Sequence, residues 1–407
     1  MGAFNIVYEV SFSDGVRWAI RIPAKGDVSS PATARSMHLD IVAQRLISSK
    51  TAIPLPCIHC YSLDPNNRIG RPFTIVDFLP GTNLSKLWND REWISDSKRE
   101  RIFTQITEWM VELSALEFDR IGRIDIDDST GQHHIVSFPD AERLIVRREA
   151  LDPDAVQVEE VGPFASSHEF LRCLMERRGM TDDSPMLALL QLFVSAVPDQ
   201  SFDGPPFTLF PPDFDSQNVL VSDDGTITGL IDWDGVYVGP RQGGAAAYPS
   251  WITVDWNPTF YGWSHLSTAE ENSQFDSAAE LDRFRKMYLD IIDRVSFGML
   301  TSITRNSHVW SALHIAVTNS IATSGIVDHL SKYVFGSGVL GYEVEEGIKN
   351  SAWYRIRQSA DHIAQVVDGE RHSVYTLIFA HLPPETPDVM NSSDTESNPD
   401  AEDATGP

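Results

Sequence analysis

Three polar residues near the middle of the chain have the types and spacing for phosphoryl-transfer chemistry. They are Asp213, Asn218 five residues on, and Asp232 fourteen after that. In such a site one carboxylate orients an attacking hydroxyl, while an amide and a second carboxylate hold Mg²⁺ against phosphate oxygens. The residues stand in Pro-Pro-Asp-Phe-Asp-Ser-Gln-Asn (211–218) and Leu-Ile-Asp-Trp-Asp (230–234). Val-Leu-Val and an Asp-Asp-Gly turn lie between the two segments.

The intervening segment must bring them together. Asp224-Gly225 signals a two-residue turn, because both central positions of a type I′ turn need φ > 0. Asn218–Ser222 and Thr226–Ile231 then read as strands. Folding about 224/225 pairs positions whose numbers sum to 449, so Asn218 and Asp232 fall within one residue of facing each other. An amide and a carboxylate on neighbouring strand ends can share one hard cation with phosphate. Asp213 sits in the preceding loop and faces the same cation without binding it. Two other readings stay open. One is an ordinary hairpin with solvated acids at its ends. The other is a glycosidase using Asp213, Asp215, Asp232 and Asp234 as paired acids, which gives Asn218 no role.

Upstream, Phe4–Val10 and Arg17–Ile22 read as strands around a second turn signal, Asp14-Gly15. Apolar residues at 39, 42, 43 and 46 give a helical period over 37–47. Ala52-Ile53-Pro54-Leu55-Pro56 reads as extended. Arg71–Phe78 reads as a strand that Leu79-Pro80-Gly81 breaks.

With these segments in place, residues 2–260 resemble the aminoglycoside phosphotransferase and choline kinase-like superfamily, relatives of protein kinases. The fungal aminoglycoside phosphotransferase-domain group is the nearest likeness. The resemblance implies an α+β, protein kinase-like bilobal fold. Residues 1–78 would form a small β-rich nucleotide-binding lobe whose first strand is missing. Residues 79–382 would form a larger helical catalytic lobe. Asp213 matches the catalytic Asp, and Asn218 and Asp232 match the metal ligands. Arg21 stands at the usual Lys, and Asp40 stands at the Glu that orients it, so an Arg21–Asp40 pair is implied. Backbone groups from Asp77 to Leu79 would bind adenine. ATP and Mg²⁺ are the implied cofactors, and a small molecule with a hydroxyl is the implied acceptor. Three departures from the family pattern are Pro211 for the loop His, Arg21 for Lys and Asp40 for Glu. They motivate the alternative of a catalytically impaired nucleotide- or ligand-binding module.

Composition bounds the partners. Across 407 residues the net charge is −26. Residues 383–407 hold seven acids and no Lys or Arg, leaving −19 on the rest. That tail is expected to be disordered. So acidic a surface argues against nucleic-acid and anionic-membrane partners and suits a cationic small molecule. Neither a signal peptide nor a membrane-length apolar run is evident, and a cytoplasmic protein is expected. Cys57, Cys60 and Cys173 fit reduced thiols better than a zinc site or disulfide. His133-His134 reads as a surface loop. Ser97 and Glu100 suggest a capping box ahead of a helix carrying Ile102, Ile106, Trp109, Met110, Leu113 and Leu116 on one face. Another apolar face runs from Leu281 to Ile292, and further helices are expected near 308–323 and 352–367. Trp251 and Trp256 read as anchors for a long loop, with a role against a substrate face as the alternative.

Overall fold

The first hairpin forms where the strand pattern and the Asp14-Gly15 signal put it. In the computed structural model β1 (Asn5–Ser11) pairs antiparallel with β2 (Arg17–Pro23), placing Arg21 opposite Val7. Gly15 takes φ 87°, a left-handed conformation that costs glycine nothing. Helix α1 (Pro31–Lys50) is longer than the expected 37–47. It opens on a proline, whose missing N–H is no loss at a first helical position. Its buried face includes Leu39, Val42, Ala43, Leu46, Ile47 and also Asp40. Strands β3 (Ile58–Ser62) and β4 (Phe73–Asp77) complete an antiparallel sheet in the order β1-β2-β4-β3. The structure describes residues 5–24, 31–139, 160–178, 184–211, 213–261, 276–335 and 341–350. The expected helix at 352–367 and the acidic tail lie outside them.

Beyond the sheet the chain is mainly helical. Strand β5 (Thr82–Asn83) leads to α2 (Asp96–Ser114). The cap of α2 is Ser95, whose hydroxyl accepts from the Lys98 amide at 3.3 Å, and not the expected Ser97–Glu100 box. Ser97 instead shares a hydroxyl contact with Ser95. Short strands β6 (Glu117–Phe118), β7 (Arg123–Ile126) and β8 (His133–Val136) follow, so His133 and His134 lie on an exposed strand and not in a loop. Next come α3 (Ser167–Arg177), α4 (Pro185–Ala196) and β9 (Phe207–Phe210). The site hairpin is β10 (Val219–Val221) with β11 (Ile227–Leu230), followed by β12 (Tyr237–Gly239). Helix α5 (Ala278–Val295) carries a full capping box between Ser277 and Glu280. After the short α6 (Thr301–Arg305), the helix expected near 308–323 divides into α7 (Ser307–Thr318) and α8 (Thr323–Phe335). Asn319 is extended, and its side chain accepts from the Ile321 amide, so a local turn replaces the next helical turn. Helix α9 (Gly341–Asn350) is the last described element.

The core of the helical part joins α2 to α5. Trp88 packs on Phe103, Phe284 and Trp251 at ring separations of 5.5–6.1 Å. Trp251 and Trp256 are both buried, as loop anchors should be. Arg285 of α5 fixes that loop with a two-pronged pair to Asp255 (2.7 and 2.9 Å) and a bond to the Ile252 carbonyl. Among the described residues no helix is long and apolar enough to cross a membrane.

Candidate functional site

The hairpin carrying the candidate residues reaches the expected pairing, but not through a two-residue type I′ turn. The Ser222 amide donates to the Thr226 carbonyl, Gly225 takes φ 83° and Asp224 does not take φ > 0, so 223–225 form a three-residue loop. Val219 faces Leu230 and Leu220 faces Gly229, with a slip of one residue near the turn at Val221–Ile227. Past the strands, the Ile231 amide donates to the Asn218 carbonyl at 2.9 Å, which sets Asn218 beside the residue preceding Asp232. Strand β5 adds a third strand on the other side, with Leu220 opposite Asn83. The Thr228 hydroxyl also reaches the Pro80 carbonyl at 2.5 Å. The hairpin is thereby tied to the segment that follows β4. Gly81 has φ 125°, and a Cβ there would lie 2.4 Å from Thr228 Oγ1, so only glycine fits this crossing.

Asp213 lies exposed in the loop before the hairpin. One of its carboxylate oxygens, Oδ2, accepts from Asn218 Nδ2 at 3.1 Å and from Gln217 Nε2 at 3.3 Å. Asn218 Nδ2 also reaches the Asp213 carbonyl at 2.9 Å. Pro211 stands where the resemblance expects an imidazole to brace the loop, and other groups do that work. Asp215 caps the turn at Ser216–Asn218 through the Gln217 amide. Ser250 donates its hydroxyl to Asp215 Oδ2 (2.5 Å) and lies within 3.0 Å of the Phe214 carbonyl.

Asp232 adopts φ 62°, a left-handed conformation uncommon for a residue with a Cβ, and Gly235 follows at φ 82°. This turn aims both Asp232 and Asp234 at β2. Arg21 donates to Asp232 Oδ1 at 2.8 Å and to both oxygens of Asp234 at 3.0 and 2.9 Å. Asn5 Nδ2 adds a bond to Asp234 at 2.8 Å. The expected Arg21–Asp40 pair is thus replaced. Asp40 instead accepts from Arg123 at 2.5 Å and from the Gly235 amide at 2.7 Å, and acts on Arg21 only through its charge. The reason is geometric. Asp is one methylene shorter than the Glu of the pattern, and Arg123 of β7 approaches α1 within its reach.

The electrostatics follow from this crowding. Partial burial raises the Asp232 pKa, the charge of Asp234 raises it further, and Arg21 pulls it back. Burial alone would lower the pKa of Arg21, but Asp234 and Asp232 outweigh it and raise the value. Among the described residues, Asn218 Oδ1 and Asp232 Oδ2 accept no hydrogen bond, and Asp213 Oδ1 accepts none either. An amide oxygen and a carboxylate oxygen are hard donors, the chemistry that suits Mg²⁺ with water and phosphate completing its shell. No cluster of three or more His, Cys, Asp or Glu able to hold a metal occurs among the described residues.

The Asp77–Leu79 segment is partly committed. The Asp77 amide donates to the Cys57 carbonyl, and the Phe78 amide to the Arg17 carbonyl. The Asp77 carboxylate binds the Cys57 amide (3.0 Å) and His59 (2.7 Å). The Leu79 amide makes no such bond among the described residues.

Sequence reasoning gave Asp215 and Asp234 a supporting place in the loop or metal shell and passed over Arg123 and Ser250. For Asp234 the signal was the Asp-Trp-Asp repeat. For Arg123 and Ser250 the sequence holds none, because each acts on a residue tens of positions away.

Residues 2–242 match the phosphotransferase enzyme family. Curated relatives include altered inheritance of mitochondria protein 9 (mitochondrial) of Clavispora lusitaniae, 21% identical over 359 residues, covering 76% of this chain and 56% of that protein. The protein of that name from Candida albicans strain SC5314 is 25% identical over 130 residues, covering 31% and 21%. The chain therefore spans from about a fifth to just over half of these relatives' length. Similar solved structures include the macrolide 2'-phosphotransferase MphH from Brachybacterium faecium, with 13% identity, 81% and 90% coverage and a TM-score of 0.41. Another is the ADP-bound aminoglycoside phosphotransferase APH(2'')-Ib, with 12% identity, 81% and 92% coverage and a TM-score of 0.42. The relatives are named as mitochondrial proteins, which overturns the expectation of a cytoplasmic location.

Proposed function

Because this chain belongs to the phosphotransferase enzyme family, we propose that it transfers the γ-phosphoryl group of ATP to a hydroxyl of a small molecule, with Mg²⁺ as cofactor. One observation carries this reading. Asn218 spends its N–H groups on Asp213, while its oxygen and one oxygen of Asp232 stay without partners at the same end of the hairpin. An ordinary surface hairpin has no need of that division.

The roles follow from the contacts. Asn218 and Gln217 hold Asp213 by one oxygen, so its other oxygen can accept the hydrogen of an acceptor hydroxyl and take the proton as the bond to phosphorus forms. Asn218 and Asp232 would hold Mg²⁺, which when bound neutralises charge on the phosphate oxygens. Arg21 presents a guanidinium to the phosphates, kept in place by Asp234 and Asn5. Asp40 fixes the Gly235 amide and so the turn that carries Asp232. For the adenine, the Leu79 amide is the backbone donor left by the sheet. From the names of the relatives, the proposed location is mitochondrial.

The test is a thermal-shift titration with ATP, with and without Mg²⁺, followed by ADP release over a panel of alcohols, sugars and amino sugars. The reading expects Mg²⁺-dependent stabilisation and an acceptor-dependent signal lost in Asp213→Asn. A second reading, a binding module without turnover, is favoured by one observation: Arg21 already pairs with both Asp232 and Asp234. Stabilisation by Mg·ATP with no ADP release above that of Asp213→Asn would select it. No stabilisation at millimolar nucleotide would sink both.

A further inference from the structure

We infer that the acceptor is an uncharged, mainly apolar molecule bearing a hydroxyl, and not a cationic sugar or amino alcohol. This rests on the phosphotransferase reading for the location of the reacting group, but its core claim concerns a cavity. That cavity, about 290 Å³, lies between the 210–214 loop, the 243–253 segment and α7. Pro211 and Phe214 both line it and flank Asp213 in sequence, so it borders the loop that carries that residue.

Its walls are neutral. Phe210, Tyr237, Ala247, Tyr248, His314 and Ile315 line it, and among the described residues no Asp, Glu, Lys or Arg does, in a chain whose net charge is −26. Burial pushes His314 down to about 4, so its ring carries no charge at neutral pH. A cation entering here would leave its hydration shell and find no carboxylate among the described residues of the walls. The overall acidity therefore says nothing about this space. An apolar molecule loses only unfavourable hydration.

The walls are also set for a flat ring. Phe210 stacks on Tyr237 at 4.8 Å, and Trp310 stacks on His314 at 5.2 Å. Behind them Gly243 lies so close to Trp310 that a Cβ would sit 1.8 Å from its ring, so this wall has no slack. Two residues lining the cavity carry buried polar atoms without a hydrogen-bond partner among the described residues, Tyr237 Oη and His314 Nε2. Both atoms are shut off from the cavity, so they mark tight packing behind its walls and not contact points for a ligand. Apolar walls with a few polar points are the usual make-up of a small-molecule site.

The experiment pairs neutral aryl alcohols (2-phenylethanol and 2-naphthaleneethanol) with two cations, choline and kanamycin. Binding to the full chain is read by saturation-transfer NMR, and turnover by ADP release with Mg·ATP. The aryl alcohols should bind and raise ADP release at least about tenfold, with choline and kanamycin doing neither. Ala247→Phe fills the cavity and should abolish aryl-alcohol binding while the Mg·ATP thermal shift persists. Should that variant not fold, Ser311→Phe fills the same space from α7. Aryl-alcohol binding that Ala247→Phe removes, without any ADP release, would uphold the ligand class and sink the phosphotransferase reading alone. Binding of choline or kanamycin that the filled variant abolishes would overturn the inference. So would aryl alcohols that fail to bind, or that bind the filled variant equally well.

Discussion

The two ends of the candidate site are built from opposite materials. At the phosphate end, Arg21, Asp232, Asp234 and Asn5 form a partly exposed polar cluster joined by bonds of 2.8–3.0 Å. The cavity lined by Pro211 and Phe214 has no Asp, Glu, Lys or Arg among the described residues of its walls. Phosphate chemistry needs charge held in fixed places, because the transition state spreads negative charge over the transferring group. An acceptor pocket needs only shape and a few polar points. One end is therefore constrained in residue type, and the other is free to follow whatever molecule it binds.

The sharpest test of the phosphate end is Asp213→Asn. It should lower acceptor-dependent ADP release by about 100-fold or more, with the Mg·ATP thermal shift unchanged. Turnover that survives would remove Asp213 from the reaction. Next, Asp232→Asn should erase the Mg²⁺-dependent part of nucleotide stabilisation, about 2.7 kcal/mol at a hundred times Kd. An unaltered Mg²⁺ dependence in the thermal-shift titration would place the ion elsewhere.

On the cavity side, Gly243→Ala drives a methyl into Trp310 and should cost about 1–3 kcal/mol in urea denaturation. A cost below about 0.5 kcal/mol would mean that the wall yields.

The pH dependence should separate the ends by sign. His308 and His314 are held neutral by burial, at about 4 against an ordinary 6.5. Their contribution is fully present above pH 6.5 and is lost as pH falls through about 4. Asp232 runs the other way. Its raised pKa gives a contribution present below pH 3.8 and lost as pH rises through the folded value. Thermal unfolding from pH 4 to 7.5 should therefore show stability rising with pH, and His314→Phe should flatten that rise. A profile unmoved by the variant would contradict the neutral cavity.

The smallest effect belongs to the tie between the ends of β4 and the site hairpin. Thr228→Val removes the bond to the Pro80 carbonyl and should cost about 0.5–1.5 kcal/mol by thermal or urea unfolding. No measurable change would show that β5 alone carries the connection.

Much of the phosphate end was legible in the chain. Asp224-Gly225 located the turn, but Val219 meets Leu230 only because a one-residue slip at Val221–Ile227 offsets a three-residue loop, and nothing in the sequence signalled that slip. The first hairpin and the strand before Leu79 were located by their turn signals in the same way. Helix caps were read less well, because Ser95 and Ser97 are both plausible caps and only the entry angle of the chain chooses between them. The Arg21–Asp40 pair failed for a different reason. Which acid a strand arginine meets depends on which turn is folded beneath it, and here the left-handed turn at Asp232 delivers two acids while Arg123 claims Asp40.

The sequence by itself determined the α+β class and the two hairpins, and it brought out Asp213, Asn218 and Asp232 as candidates. The hairpins rest on local backbone preferences, and the candidates on residue types that the proposed phosphate chemistry needs. Only the tertiary structure decided the partners of Arg21 and Asp40, the bracing of the loop by Ser250, and the neutral character of the cavity. Each of these depends on side chains from segments far apart in the chain. Net charge summed along a sequence carries no information about which few side chains face a given cavity.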